Sequence, residues 1–239
     1  MKGIRTGLAV VFIALAALAA LTGCATPQPP VAMDQAFWAE KQDRIGIAIT
    51  EIPAPSVQMT GQQGLLDIAV NKGMASGLTK KVESWDSTSL RGLQQKVAER
   101  LQDQGYTVKL LDKPYDFKNF KKAERKLGYA DLDMTPLKAQ EGIDKVVLLM
   151  LGVNGTTRSY YGMIPTSDPV SQVTMVTTIV DLDDNRLIYF QPLGVSRAAE
   201  GEWDESPEYP NLTNAFYKAL DEAEQKMLLP FDAQQLSSK

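Results

Sequence analysis

Ile143-Asp144-Lys145-Val146-Val147-Leu148-Leu149-Met150-Leu151-Gly152-Val153 decides how this chain folds. After Asp144 and Lys145 it runs apolar without alternation, the pattern of a central strand covered on both faces. Thr135-Pro136 opens a short helix ahead of it, running through Gln140 with proline in the first turn. Downstream, residues 172–182 and 186–195 are β-rich runs joined by Asp183-Asp184-Asn185, turn formers that predict a hairpin. Upstream, residues 45–52 read as a first strand stopped by Pro53 and Pro55, and residues 106–111 as another ending before Pro114. Leu90, Leu93, Val97 and Leu101 repeat at helical spacing, with Ser87 and Ser89 as caps and Gly105 where a helix end takes a left-handed residue. A last helix opens at Asn211 and carries Leu212, Phe216, Leu220, Ala223 and Met227 on one stripe. Residues 117–127 read as a basic helix. Residues 58–83 suggest a helix or two through Leu65, Leu66, Ile68, Ala69, Met74 and Leu78, weakened by Gly61, Gly64, Gly73 and Gly77. No repeat of 20 to 50 residues is visible. The order predicts an α/β fold, a mixed β-sheet with helices packed on it, as one domain over residues 43–232 with a tail at 233–239.

The first residues read differently. Lys2 and Arg5 precede an apolar run over residues 8–21, and small residues follow directly before a cysteine, the layout of a signal peptide. Those 14 residues, at about 1.5 Å of helix rise each, fall short of a hydrocarbon core of about 30 Å, so a permanent membrane span is not expected. Leu21-Thr22-Gly23-Cys24 resembles the lipobox of bacterial lipoproteins. That resemblance implies cleavage between Gly23 and Cys24, a diacylglyceryl thioether on Cys24 and an acylated amino terminus. Two or three acyl chains, at about 0.8 kcal/mol per buried methylene, hold a protein on a membrane durably. Ala25, rather than Asp, follows the cysteine; in the lipoproteins it resembles this favours the outer membrane. Ala25-Thr26-Pro27-Gln28-Pro29-Pro30 then reads as an extended tether within residues 24–42.

Composition narrows the chemistry. The chain has one cysteine and no histidine, so after lipidation no disulfide, Cys/His zinc site, Ser-His-Asp triad or Cys-His pair is available. Without Lys2 and Arg5 the 25 basic residues become 23 against 29 acidic ones, a formal balance of −6. A mildly acidic chain argues against a nucleic-acid partner, which clustered Lys and Arg would hold. With 44% hydrophobic residues, a chain of this length buries one sizeable core.

Three features coincide: a strand-helix-strand unit, Ala139-Gln140-Glu141-Gly142-Ile143-Asp144-Lys145-Val146-Val147-Leu148 entering a buried strand, and Val180-Asp181-Leu182-Asp183-Asp184-Asn185-Arg186-Leu187-Ile188-Tyr189 making a hairpin. Together they resemble periplasmic lipoprotein domains with the fold of the TolB amino-terminal domain, among them the curli-secretion lipoprotein and the lipoprotein activator of penicillin-binding protein. Gly142-Ile143-Asp144 stands for their Gly-Ala-Asp step, and Asp-Asn for their Thr-Gly turn. The resemblance implies a non-enzymatic envelope protein that docks on a partner or assembles with its own kind.

Several residue groups invite a functional reading. Asp181, Asp183 and Asp184 offer oxygen ligands, yet lack the glycine and distal glutamate of a calcium loop, and a plain hairpin turn explains them better. Glu200, Glu202, Asp204, Glu205 and Glu208 surround Trp203, with Tyr209 beyond: either an acidic loop with aromatic anchors for a basic partner, or a solvated loop whose Trp203 folds back on the core. Arg158, Tyr160 and Tyr161, with Met163 and Ile164, lie in residues 156–165, which read equally as a contact loop or as a strand extension. Phe37 and Trp38 would pack on their own domain or on a neighbouring subunit. Lys118, Lys121, Lys122, Arg125 and Lys126 form a basic face that suits anionic glycan or lipid headgroups, or is simply solvated. The expected function is a non-catalytic, lipid-anchored protein-binding or assembly module facing the periplasm, with no cofactor and no metal. It binds a membrane through its anchor and an envelope protein or a second copy of itself. The competing readings are a carboxylate-based glycan hydrolase, which needs two acidic residues about 5 to 9.5 Å apart in a cleft, and a small-ligand receptor, which needs a closed apolar cavity.

Overall fold

The computed structural model of the chain describes residues 27–33, 35–111 and 120–232. In chain order these give α1 (Gln35–Ala39), β1 (Arg44–Ile49), β2 (Ser56–Gln62), α2 (Leu65–Met74), α3 (Ser76–Glu83), α4 (Leu93–Asp103), β3 (Thr107–Leu110), α5 (Pro136–Glu141), β4 (Lys145–Tyr161), β5 (Ile164–Pro165), β6 (Val170–Asp181), β7 (Leu187–Ala198) and α6 (Pro210–Leu228), with single 3₁₀ turns before α4 and after α6. All strands join one mixed sheet in the order β3-β1-β4-β6-β7, and β2 and β5 also pair with β4. This is the α/β arrangement that the element order predicts.

β4 owes its central place to its first residues. Lys145 to Leu149 are all buried, paired parallel to β1 on one edge and antiparallel to β6 on the other. Val147 and Leu149 point to one face, where they meet Ile45, Ile47, Met175, Leu101 and Phe216; Val146 and Leu148 point to the other, with Ala48, Leu137, Ile143 and Leu182. The first face is closed by α3, α4 and α6. There Trp85 stacks on Phe216 at 4.5 Å and its indole N–H donates to Thr213 Oγ1 at 3.2 Å.

β4 then continues well past Val153, and residues 156–161 are a strand extension rather than a loop. Past an irregularity between Leu151 and Asn154, its second half pairs with β2, from Ser56 beside Gly155 to Gln62 beside Tyr161. At Gly155, with φ of +133°, a Cβ would lie 2.2 Å from the Ser56 carbonyl oxygen, so only glycine admits this approach. β2 is not predicted by the sequence. Its residues are half-buried or exposed, only Val57 and Met59 alternate with polar neighbours, too short a pattern to mark a strand, and residues 58–62 pass for the start of the helical region that begins only at Leu65.

Two further expectations need correction. The domain does not begin near residue 43. Val31 and Phe190 exchange two backbone hydrogen bonds of 2.8 and 3.0 Å, and α1 buries Phe37, whose carbonyl accepts from the Tyr106 hydroxyl at 2.6 Å. Nor do residues 120–127 form a helix; residues 117–119 lie outside the described residues. Instead Ala123 N–H donates to the Asp131 carbonyl and Asp133 N–H to that of Lys121, both at 2.9 Å. This makes a small hairpin that turns at Leu127-Gly128, where Gly128 has φ of +81°. Backbone pairing with residues 131–133 satisfies the peptide groups that a short helix would have left open at its ends.

Asn185 holds this hairpin to the sheet. It sits buried at φ +66°, donates to the carbonyls of Ala130 and Leu132 at 3.1 and 3.0 Å, and accepts from Met134 N–H at 2.9 Å. Asn185→Ala should therefore cost about 2–4 kcal/mol in urea denaturation, from lost buried hydrogen bonds and left-handed strain. Asn185→Gly, which relieves only the strain, should recover about 1 kcal/mol of that.

Candidate functional site

The two ends of β4 carry different chemistry. At its far end, Tyr161 pairs with Gln62 on one side and Ile164 on the other. Gly162 N–H donates to the Gln62 carbonyl at 2.8 Å. Buried Asn71 on α2 donates from Nδ2 to the Gly162 carbonyl at 3.0 Å and to Gln63 Oε1 at 2.8 Å, clamping the β4–β5 turn to α2. Around this clamp the apolar side chains face solvent: Leu65 is 90% exposed, Leu66 69%, Ile164 67%, Tyr161 66% and Met163 44%. Large apolar groups gathered and left in water mark contact surfaces. The sequence placed Tyr161, Met163 and Ile164 in a candidate segment, but it gave Leu65 and Leu66 only as helix interior. Their position at the exposed start of α2 is visible only once β2 is known to deliver the chain there.

The other candidates separate. Tyr160 alternates to the inner side and is 5% exposed, so it is a core residue and not a contact. The Arg158 guanidinium lies 4.7 Å from the Trp203 ring and 5.8 Å from that of Tyr160, and its Nε donates to the Ser167 carbonyl at 2.9 Å. Trp203 in turn stacks on Tyr209 at 6.4 Å and packs against the core. The structure thus brings Arg158, Tyr160 and Trp203 together as a latch for the acidic loop, the fold-back that was one of its two readings. Phe37 and Trp38 pack on their own domain. Gly23, Cys24 and Lys118 lie outside the described residues.

The carboxylates are engaged. Asp181 and Asp184 accept from the backbone N–H groups of Asp183 and Arg186, both at 3.0 Å, as turn residues do, while Lys138 pairs with Asp183. No group of three or more ligating side chains that would hold a metal occurs among the described residues. Glu200 and Glu222 line an open groove between β7 and α6, with Arg197, Lys218 and Asp221. Hydrogen bonding to Lys218 holds Glu200 below the ordinary carboxyl range, and hydrogen bonds from Lys226 and then Arg197 do the same for Glu222. A general acid needs the opposite shift.

Asp144, at the entry to β4, accepts from Arg44 Nε at 3.1 Å and from Arg44 N–H at 3.0 Å, with Lys138 at 3.7 Å. The Arg44 side-chain and backbone hydrogen bonds, in that order, lower its pKa. A carboxyl depressed in the folded state contributes stability above its unfolded value of about 4, and loses it as pH falls through the folded value. Asp144→Asn should accordingly cost about 1 kcal/mol at neutral pH. The gap to the parent should narrow as urea denaturation is repeated at pH values falling progressively below the ordinary carboxyl value.

No family model and no curated protein matches the chain. Solved structures do. The chain is similar to the PelC dodecamer protein of Paraburkholderia phytofirmans at 10% identity and a TM-score of 0.33, covering 87% of this chain and 95% of that one. It is similar to lipoprotein GNA1162 of Neisseria meningitidis at 14% identity and TM-score 0.33, covering 75% and 99%. It is also similar to protein XCC0632 of Xanthomonas campestris at 13% identity and TM-score 0.38, covering 89% and 98%.

Proposed function

We propose that this chain is a non-catalytic lipoprotein of the bacterial envelope, anchored in the outer membrane through Cys24 and docking a protein partner with the far end of β4. The observation that carries the docking half is the exposed apolar cluster of Leu65, Leu66, Tyr161, Met163 and Ile164, held in shape by buried Asn71. The anchoring half is carried by Leu21-Thr22-Gly23-Cys24 behind its apolar run, and Ala25 supports the outer membrane. No helix among the described residues is long and apolar enough to cross a membrane, and an acyl anchor needs none.

The two halves fit one geometry. The chain docks on the sheet at Val31, beside Phe190, which pairs with Thr178 and through it lies level with Leu148. From Leu148 to Tyr161, strand rise of about 3.3 Å per residue gives roughly 40 Å of β4. A bilayer contact at the docked end therefore leaves the apolar cluster well out in the periplasm, where a protein and not lipid would cover it. The hydrolase reading fares worse, because Glu200 and Glu222 in the groove are shifted away from the raised value a general acid needs.

Radioactive palmitate fed to cells should label the parent and not Cys24→Ala, which should leave the membrane fraction. In the same cells, a photocrosslinker at residue 163 should capture a discrete protein, a second copy being one identity it can have. The double variant Leu65→Glu/Ile164→Glu should lose that capture while keeping its palmitate. Labelled protein that captures nothing from residue 163 would overturn the docking half alone.

A further inference from the structure

The basic segment, misread as a helix, lies where the tether reaches the domain. Gly128 N–H donates to Gln28 Oε1 at 2.8 Å, so the chain is already fixed to the hairpin tip at Gln28. Four residue steps separate Cys24 from Gln28, which a fully extended chain spans in about 14 Å at most. If Cys24 carries its acyl chains in the bilayer, the Leu127-Gly128 turn cannot stand far from it.

That turn is built for such a place. Leu127 is 57% exposed at its tip, and Lys126 lies over the Tyr129 ring at 3.9 Å. Lys121, Lys122 and Arg125 are exposed on the outgoing limb. Among the described residues, the acidic side chains on the same hairpin are Glu124 and, on the returning limb, Asp131 and Asp133; Asp133 is taken up by Thr135, which donates through both its backbone N–H and its hydroxyl. In a domain that is acidic overall, a basic-flanked apolar turn sits at the tether.

We propose that this hairpin is the membrane-facing surface of the domain, with Leu127 in the headgroup layer and Lys121, Lys122, Arg125 and Lys126 against anionic phospholipid phosphates. The proposal rests on lipidation of Cys24. The neighbouring apolar groove, about 240 Å³ and lined by Tyr129, Leu132, Met134, Met150 and Phe190, offers a rival occupant, a fatty chain folded back from Cys24. Charge complementarity favours the headgroups, because a chain in the groove would gain nothing from the lysines.

Lipidation occupies the only thiol, so Leu127→Cys and Met163→Cys each give the full chain a unique labelling site. Fluorophores at both positions are read on the lipidated protein in phosphatidylethanolamine–phosphatidylglycerol vesicles and in phosphatidylcholine vesicles. At residue 127, quenching by aqueous iodide should fall several-fold on the anionic vesicles, and spin-labelled headgroups should quench it. The label at 163 should stay open to iodide. Lys121→Glu/Lys122→Glu/Lys126→Glu should restore iodide access at 127 with the anchor intact. Equal iodide access at 127 and 163, in protein whose intact mass includes the acyl chains, overturns the proposal and leaves the anchor reading standing. Shielding at 127 that ignores both lipid charge and the lysine substitutions overturns it in favour of the groove. An intact mass without acyl chains sinks the anchor reading, and this orientation with it.

Discussion

The pairing of β4 on both edges is the constraint from which the rest of the molecule follows. A strand bonded to β1 and then β2 on one side and to β6 on the other is paired on both edges over most of its length, so it must lie inside the sheet. Its two halves nevertheless live in different surroundings. The first is sealed by helices on one face and by α5 and the small hairpin on the other. The second keeps only one face buried, at Asn154, Thr156 and Tyr160, while Tyr161 at its end faces solvent. A strand buried on both faces at its start and on one face at its end gives the domain unlike ends.

This division also explains what the sequence disclosed. Residues 145–149 were legible because burial on both faces permits only apolar side chains past Lys145, and α4 and α6 because one face of each is buried at helical spacing. The turn at Asp183-Asp184-Asn185 was legible from turn chemistry alone, although nothing in it announced that Asn185 would reach across to residues 130–134. β2 was not legible. Where a strand buries no residue fully and only Val57 and Met59 mark its inner side, pairing is decided by the backbone, and side chains carry too little period to read. The hairpin at 121–133 was misread for a related reason: Lys121, Lys122, Arg125 and Lys126 are as compatible with a solvated helix as with a solvated strand, and Gly128 decides between them only through its turn. At the candidate site, Tyr160 and Tyr161 show the limit most sharply. Adjacent in sequence and equal in composition, they differ in exposure because strand alternation puts one inward and one outward, and the phase of that alternation is set by pairing with β2.

Ion pairs are plentiful on this surface, yet they do not hold the fold together. Lys218 with Glu200 and Lys81 with Glu208 join exposed groups, and such pairs contribute on the order of 1 kcal/mol or less. Their consequence is chemical. With Glu200 matched to Lys218, and Glu222 to Lys226 and Arg197, neither of these two stores the raised affinity for protons that acid catalysis requires. The buried Lys145 differs, since Glu40 at 2.9 Å and Asp43 both reach it. Losing one acidic partner would leave a largely desolvated ammonium half-compensated, which ties the segment after α1 to the base of β4.

Unlike ends invite a distinct job for each. An acyl anchor alone fixes position but not orientation, because a flexible tether lets the domain tumble within its reach. Docking of Gln28 on Gly128 and of Val31 on Phe190 would remove most of that freedom in a chain lipidated at Cys24, leaving little of it to swivel between lipid and domain. Orientation then has a binding consequence. On the proposed reading, a partner would meet the apolar cluster already presented at a fixed height, and the rotational entropy lost on association would be correspondingly smaller. The tether would then be as much a part of the docking surface as Leu65 or Ile164, since lengthening it would weaken binding without touching a single contact.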